Sequence, residues 1–204
     1  MSGPASFDLR PDLAKIAEKV PAGSRVLDVG CGEGDLMQAL ESQKNCDARG
    51  MEIDAEAVEK AVGRGLSVVQ GDANRDLADY PDAAFDVAIL SQTLQTAERP
   101  EWLLDQLLRI GRTAFVSFPN FAYWRMRLSL LRTGKMPMSR HLPQTWYETK
   151  NIHHLTIEDF RDLLAAKGVK VKGSWFFADG REIGSSNANW RAEHAVFQLS
   201  LMRD

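Results

Sequence analysis

Five carboxylates and three glycines in the first 72 residues have the types and spacing to do chemistry. Three of the acids, Asp28, Glu33 and Asp35, surround the stretch Asp28-Val29-Gly30-Cys31-Gly32-Glu33-Gly34; Glu52 and Asp72 stand at the ends of the next two short apolar runs. Glycines at such a turn permit positive φ and let a ligand approach the backbone closely, so Gly30, Gly32 and Gly34 keep the floor of a site low. A dinucleotide fits poorly. The dinucleotide fingerprint is Gly-x-Gly-x-x-Gly, whereas here the third glycine arrives one position early and Asp35 takes its place. A pyrophosphate would also be repelled by the acids. A ligand with a ribose diol, an amino group and a sulfonium would not, because carboxylates accept from hydroxyl and amino donors and attract a cation. Glu52 is placed to reach ribose hydroxyls, Asp72 an exocyclic adenine amine, and Asp28 an ammonium, directly or through water. Taken singly, each acid also reads as a helix cap or a solvated residue, and the glycine turn as a tight turn. Cys31 reads as a small filler rather than a nucleophile.

The elements that must position these residues follow from periodicity. Val26–Val29, Ala48–Ile53, Leu66–Gln70, Phe85–Leu90 and Thr113–Phe118 read as short strands, the first buried and the fourth covered on both faces; Asp12–Val20, Glu33–Gln43, Glu56–Val62 and Trp102–Ile110 read as helices between them. This alternation predicts an open parallel sheet with helices on both faces. After Pro119 the rhythm changes. A helix is expected over Phe121–Arg132 and a loop over Gly134–Pro143. A capping box at Thr156-Ile157-Glu158-Asp159 opens a helix to about Lys167. Two closing strands, Val169–Ala178 and Ala195–Met202, read as antiparallel. The stretch between them, with Asp179-Gly180 and Gly184–Asn187, is too long for a tight turn.

Composition bounds the rest. The 204 residues are 44% hydrophobic and 26% charged, ordinary values for a folded domain. One domain over 1–204 is expected, with an insertion at about 119–155. No apolar run approaches the about 20 residues of a membrane span. Met1–Phe7 lacks the basic and apolar regions of a signal peptide. Net charge is −3, which does not fit a general nucleic-acid binder. Two cysteines, Cys31 and Cys46, make no disulfide framework, so a reducing, cytoplasmic setting is expected. No cysteine or carboxylate stands at zinc-like spacing from His141, His153, His154 or His194, and no metal site is expected.

The motifs Val26–Gly34, Gly50-Met51-Glu52-Ile53-Asp54, Gln70-Gly71-Asp72-Ala73 and Phe85–Ser91 together resemble the class I S-adenosylmethionine-dependent methyltransferases. That resemblance implies a Rossmann-like α/β domain with a mostly parallel, seven-stranded sheet, an antiparallel last strand and helices on both faces. It implies S-adenosylmethionine or S-adenosylhomocysteine as the ligand, with Ile53 and Ala73 packing around the adenine and Ser91 and Gln92 beneath it. A narrower resemblance covers nearly the whole chain. Leu90-Ser91-Gln92-Thr93-Leu94-Gln95, Ser117-Phe118-Pro119-Asn120-Phe121 with Trp124, Arg125 and Arg127, Met136-Pro137 and Trp146–His153 are similar to the MetW family of methionine biosynthesis. It implies partnership with a homoserine O-acyltransferase; a methyl acceptor is not implied. Strand four lacks the Asn/Asp-Pro-Pro-aromatic signature of enzymes that methylate base amines, so nucleic-acid amines are disfavoured as acceptors.

The insertion combines Phe121, Tyr123, Trp124, Trp146 and Tyr147 with six basic residues and one acid between Pro119 and Asn151. Asn120, Trp124, Arg125, Tyr147 and His153 are its candidate substrate- or partner-contacting residues. It reads as a partner-docking surface, a lid over an anionic substrate, an RNA surface, or aromatics packed on the core with solvated cations. His153 is a candidate general base or an ordinary hydrogen-bonded histidine.

Overall fold

The computed structural model describes residues 8–138 and 144–201. His141 and Arg140 of the insertion, and Met202 at the end of the last expected strand, lie outside the described residues. In chain order the first half is α1 (Pro11–Lys19), β1 (Arg25–Val29), α2 (Asp35–Lys44), β2 (Asp47–Glu52), α3 (Ala55–Gly63), β3 (Ser67–Gln70), a one-turn α4 (Ala73–Asp76), β4 (Phe85–Ser91), α5 (Pro100–Ile110) and β5 (Gly111–Pro119). The second half is α6 (Trp124–Thr133), α7 (Ile157–Ala166), β6 (Val169–Ala178), β7 (Arg181–Ile183), a one-turn α8 (Ala188–Arg191) and β8 (His194–Leu201).

The sheet runs β3-β2-β1-β4-β5-β8-β6-β7. Strands β1 to β5 pair in parallel, and β8 lies antiparallel to both β5 and β6. Its inner strands alternate in what they bury. Val87 and Ile89 of β4 and Phe115 of β5 join α1 and α2 on one face, through Ile16, Met37 and Leu40. Ala88, Leu90, Val116 and Phe118 join α5 and α7 on the other, through Leu104, Leu107 and Phe160. Both faces are covered, which is why these strands read as continuous apolar runs. Strand order reverses between β1 and β4, so their carboxyl ends part and open a crevice there.

Two expectations need correcting. The sheet has eight strands, not seven. The extra one, β7, lies in the stretch expected to be loop: Asp179 and Gly180 both have positive φ (49° and 74°), and this turn pairs Ala178 with Arg181. Positive φ at both central residues is the two-residue hairpin geometry that Asp-Gly favours. The antiparallel last strand is borne out: β8, last in sequence, inserts between β5 and β6 and runs antiparallel to both. Finally, α6 begins at Trp124 rather than Phe121, because Asn120 Oδ1 accepts from the Ala122 N–H and holds residues 120–123 in a turn. The capping box is present, with Thr156 and Asp159 exchanging hydrogen bonds.

Helix α1 is fastened across the sheet by a buried carboxylate. Asp12 Oδ2 accepts from Ser117 Oγ (2.9 Å) and Ser91 Oγ (3.0 Å), at the ends of β5 and β4. Arg10 Nη2 also donates to Ser91 Oγ (3.2 Å), and Arg10 Nε lies 3.5 Å from Asp12 Oδ1. A buried charge supported this way is strongly missed when removed. Asp12→Ala is expected to lower unfolding free energy by about 2–4 kcal/mol, read from urea melts. A loss below about 0.5 kcal/mol, the ordinary range for surface positions, would contradict the fastening.

Candidate functional site

The glycine turn after β1 is shaped by what lies beneath and above it. Gly30 has φ 72°, and a Cβ there would meet Thr93 Oγ1 at 2.4 Å. The Gly30 and Cys31 N–H groups both donate to the Met51 carbonyl, so the turn is sewn to β2. Gly32 has φ 56° and faces open space: no atom lies within 4 Å of where its Cβ would be. Its N–H donates to Glu52 Oε2 at 2.8 Å. This gives a bare backbone shelf that a ligand can approach closely. Gly34 caps α2 and packs against Leu66. Cys31 fills the space above Gly50, whose added Cβ would meet its Sγ at 2.5 Å. Burial, then the charges of Asp28 and Glu52, push its thiol well above the usual range, so it stays protonated.

The five acids divide into two groups. Glu33 and Asp35 also border the hollow at Asp28, but their carboxylates are engaged by Lys60 and Arg64. Asp28, Glu52 and Asp72 line the crevice. Glu52 Oε1 accepts from the Ile53 (2.8 Å) and Asp54 (3.0 Å) N–H groups, so its carboxylate is held rigidly between turn and strand. Asp72 caps α4 through Oδ1, which accepts from the Asn74 N–H and Nδ2; Oδ2 lies 3.6 Å from Arg75 Nε. Asp28 is only 2% exposed. Its Oδ1 has no hydrogen-bond partner. Burial pushes its carboxyl up to about 7, with Arg10 lowering it and Glu52 raising it further. An orphaned acceptor at the end of a crevice is costly to keep, and such groups mark functional sites.

Two hollows meet over the turn and share Gly30 and Thr93. One, of about 330 Å³, is walled by Glu52, Ile53, Asp72, Ala73 and Lys150. Ile53 is 63% exposed, an apolar side chain with no protein cover. The other, of about 400 Å³, lies among Arg10, Asp28, Gly32, Ser91 and Gln92. Gln92 holds a left-handed φ of 51°, with its N–H on the Ser117 carbonyl. A third cavity of about 720 Å³ adjoins across Gln92 and Arg10, and includes Tyr123, Arg125 and His194. Among the described residues, no group of three or more His, Cys, Asp or Glu side chains is arranged to hold a metal ion.

The insertion residues scatter. Asn120, expected at a substrate or partner surface, is instead buried and part of the fold: its Nδ2 donates to the Asn189 and Ala192 carbonyls, and its Oδ1 accepts from Ala122 and Ile157. Arg125 packs over the Tyr123 and Trp124 rings, lies 3.6 Å from Asp179 and faces the third cavity. Trp124 is half-buried and lines none of these three hollows. Tyr147 is exposed, in a separate groove. His153 donates its backbone N–H to the Gln95 carbonyl, while its Nε2 is buried without a hydrogen-bond partner.

Sequence reading missed Arg10, Thr93 and Lys150. Arg10 and Lys150 sit 18 residues before Asp28 and 98 after Glu52, and no local pattern joins such distances. The one available signal was Arg10 standing directly before Pro11, at the start of a helix.

The sheet order and the crevice above the reversal define a methyltransferase-fold protein. Solved S-adenosylmethionine-dependent methyltransferases share the fold. One from Archaeoglobus fulgidus has a TM-score of 0.67 at 16% identity, covering 92% of this chain and 90% of that one. One from Mesorhizobium loti has a TM-score of 0.68 at 16% identity, covering 95% and 99%. Within that class the chain belongs to the MetW family: the family model "Methionine biosynthesis protein MetW" matches residues 10–199. It is 35% identical over 205 residues to the "Bifunctional methionine biosynthesis protein MetXA/MetW" of Rhodopirellula baltica, covering 95% of this chain and 33% of that one. The chain therefore spans about a third of the length of that relative. It is a methionine-biosynthesis protein of methyltransferase fold.

Proposed function

We propose that this chain binds S-adenosylmethionine or S-adenosylhomocysteine across the paired hollows and acts as a partner that activates or regulates a homoserine O-acyltransferase. The observation that carries the ligand is Asp28 Oδ1, a buried acceptor with no partner in the protein. A ligand ammonium supplies that partner. Arg10, whose charge acts on Asp28, suits the ligand's carboxylate. Glu52 has lone pairs left for a diol, and exposed Ile53 with Ala73 offers the base an apolar wall. Asp72 takes the adenine amine through the oxygen that does not cap α4. Bound S-adenosylmethionine would supply an electrophilic methyl on a sulfonium. The partner is supported by the relative that carries MetXA and MetW together under one name. A reducing cytoplasm suits both free thiols. Among the described residues no helix is long and apolar enough to cross a membrane.

A second reading, methyl transfer to a small molecule, is favoured by one observation. The third cavity adjoins the Asp28 hollow across Gln92 and has room for an acceptor. The experiment is an acyl-transfer assay on the acyltransferase of the same organism, with and without this chain and S-adenosylmethionine. Faster acyl transfer in the presence of the chain is the expected result. Unchanged acyl transfer and no complex by gel filtration, together with methyl label appearing in a metabolite, would give the second reading the field.

A further inference from the structure

Exposed apolar side chains gather in one part of the chain. Among the described residues, seven of the thirteen large ones lie between Leu130 and Ile152, with Trp146 at 75% and Tyr147 at 70% exposure. Single exposed apolar residues are ordinary, but a cluster marks an interaction site. Here Met136, Pro137, Met138, Trp146 and Tyr147, with Phe121, line an open groove of about 800 Å³. The two large rings are displayed on an ordered turn. Thr145 Oγ1 donates to Glu148 Oε2, and the Glu148 and Thr149 N–H groups donate back to the Thr145 carbonyl. Further along, Ile152 and His153 anchor the segment on the Gln95 carbonyl. Surfaces ordered in advance lose less entropy on binding.

The surroundings narrow the occupant. The groove shares no lining residue with the two hollows at Asp28 and Glu52, so a protein seated there leaves the ligand's place accessible. Exposed Arg132, Lys135 and Lys150 have no ion-pair partner among the described residues, and the one acid between Leu130 and Ile152, Glu148, is bonded by Thr145. The positive charge at this apolar face is therefore unneutralised. RNA fits less well: beside the two rings, two methionines and a proline supply much of the wall.

We propose that this groove is the seat of the acyltransferase, which presents to it an apolar projection rimmed by carboxylates. The proposal rests on the partnership inferred above and adds where the contact lies. In the Rhodopirellula relative the MetW-like part occupies about a third of a longer chain that also bears the MetXA name, so there the two units are tethered.

The test titrates the acyltransferase of the same organism onto the whole chain by calorimetry, for the wild type and for Trp146→Ala with Tyr147→Ala. Both rings are exposed, so unchanged melting and unchanged S-adenosylhomocysteine affinity are the controls. A Kd weakened at least about tenfold is expected, as for aromatic anchors at the centre of an interface. Arg132→Glu with Lys135→Glu, which leaves the rings intact, is expected to weaken it too and to flatten its salt dependence. Wild-type affinity in both double variants would overturn the groove while leaving the partnership standing. Absence of binding by the wild type would remove the partnership and the groove together. Loss of self-association or of binding to a short single-stranded RNA in the variants, with acyltransferase affinity untouched, would assign the face to a second copy or to RNA and overturn the proposal.

Discussion

Asp28→Asn is expected to make the ligand-free protein more stable at pH 8 while weakening ligand binding about 30- to 1000-fold, corresponding to about 2–4 kcal/mol for an ammonium–carboxylate pair lost from a buried site. The two effects have one origin. The Asp28 carboxyl is pushed up to about 7, chiefly by burial. In the unfolded chain it titrates near about 3.9. Between those values the folded protein holds a proton that the unfolded chain has released, so stability falls as pH rises and levels off above 7. The full difference is on the order of 4 kcal/mol. Asparagine cannot ionise, so the variant escapes the loss, less the desolvation of its own amide, for a net gain of about 2 kcal/mol at pH 8. Urea melts at pH 5 and pH 8 read this directly. The wild type should be weaker at the higher pH, and the difference should shrink in the variant. The affinity of the wild type for S-adenosylhomocysteine should also climb with pH up to about 7, because only the ionised carboxylate pairs with the ligand ammonium, and the variant should show no such climb. A variant with wild-type affinity would remove Asp28 from the site.

Glu52→Ala should cost about 100-fold in S-adenosylhomocysteine affinity, corresponding to about 3 kcal/mol. The carboxylate spans the Gly32, Ile53 and Asp54 N–H groups. Truncating it both removes a diol acceptor and frees the turn that forms the shelf. The two contributions separate by ligand deletion. Wild type should bind adenosine better than 2′,3′-dideoxyadenosine, and the variant should lose that preference. A small fall in stability, about 1 kcal/mol, is expected from the released Gly32 N–H. An unaltered preference for the diol in Glu52→Ala would show that the hydroxyls are read elsewhere.

What could be read in advance follows the range of the interactions. That Asp28, Glu52 and Asp72 share one edge of the sheet was legible because each stands at or just beyond the carboxyl end of a strand, and parallel strands in a wound sheet bring those ends together. Cys31, read as a filler because no histidine stands near it in sequence, does fill the space above Gly50. The Asp12 fastening was not, because its partners Ser91 and Ser117 stand 79 and 105 residues away. Asn120 shows the opposite failure. A polar residue beside aromatics looks available, yet its four bonds go to backbone brought in from residues 122, 157, 189 and 192. The hairpin at Asp179-Gly180 was locally encoded and was passed over because the longer stretch looked too loose for a turn.

The segment from Gln144 to Leu155 carries Trp146 and Tyr147 at one end, is anchored on Gln95 at the other, and between them places Lys150 in the wall of the Glu52 hollow. Only two residues separate Tyr147 from Lys150, and one separates Lys150 from Ile152. A protein seated on the rings and a ligand in that hollow would therefore bear on one short stretch of backbone anchored at Gln95. Any coupling between the two would be reciprocal: the factor by which a ligand in the hollow changed the hold of a protein on the rings would be the factor the protein returned to the ligand.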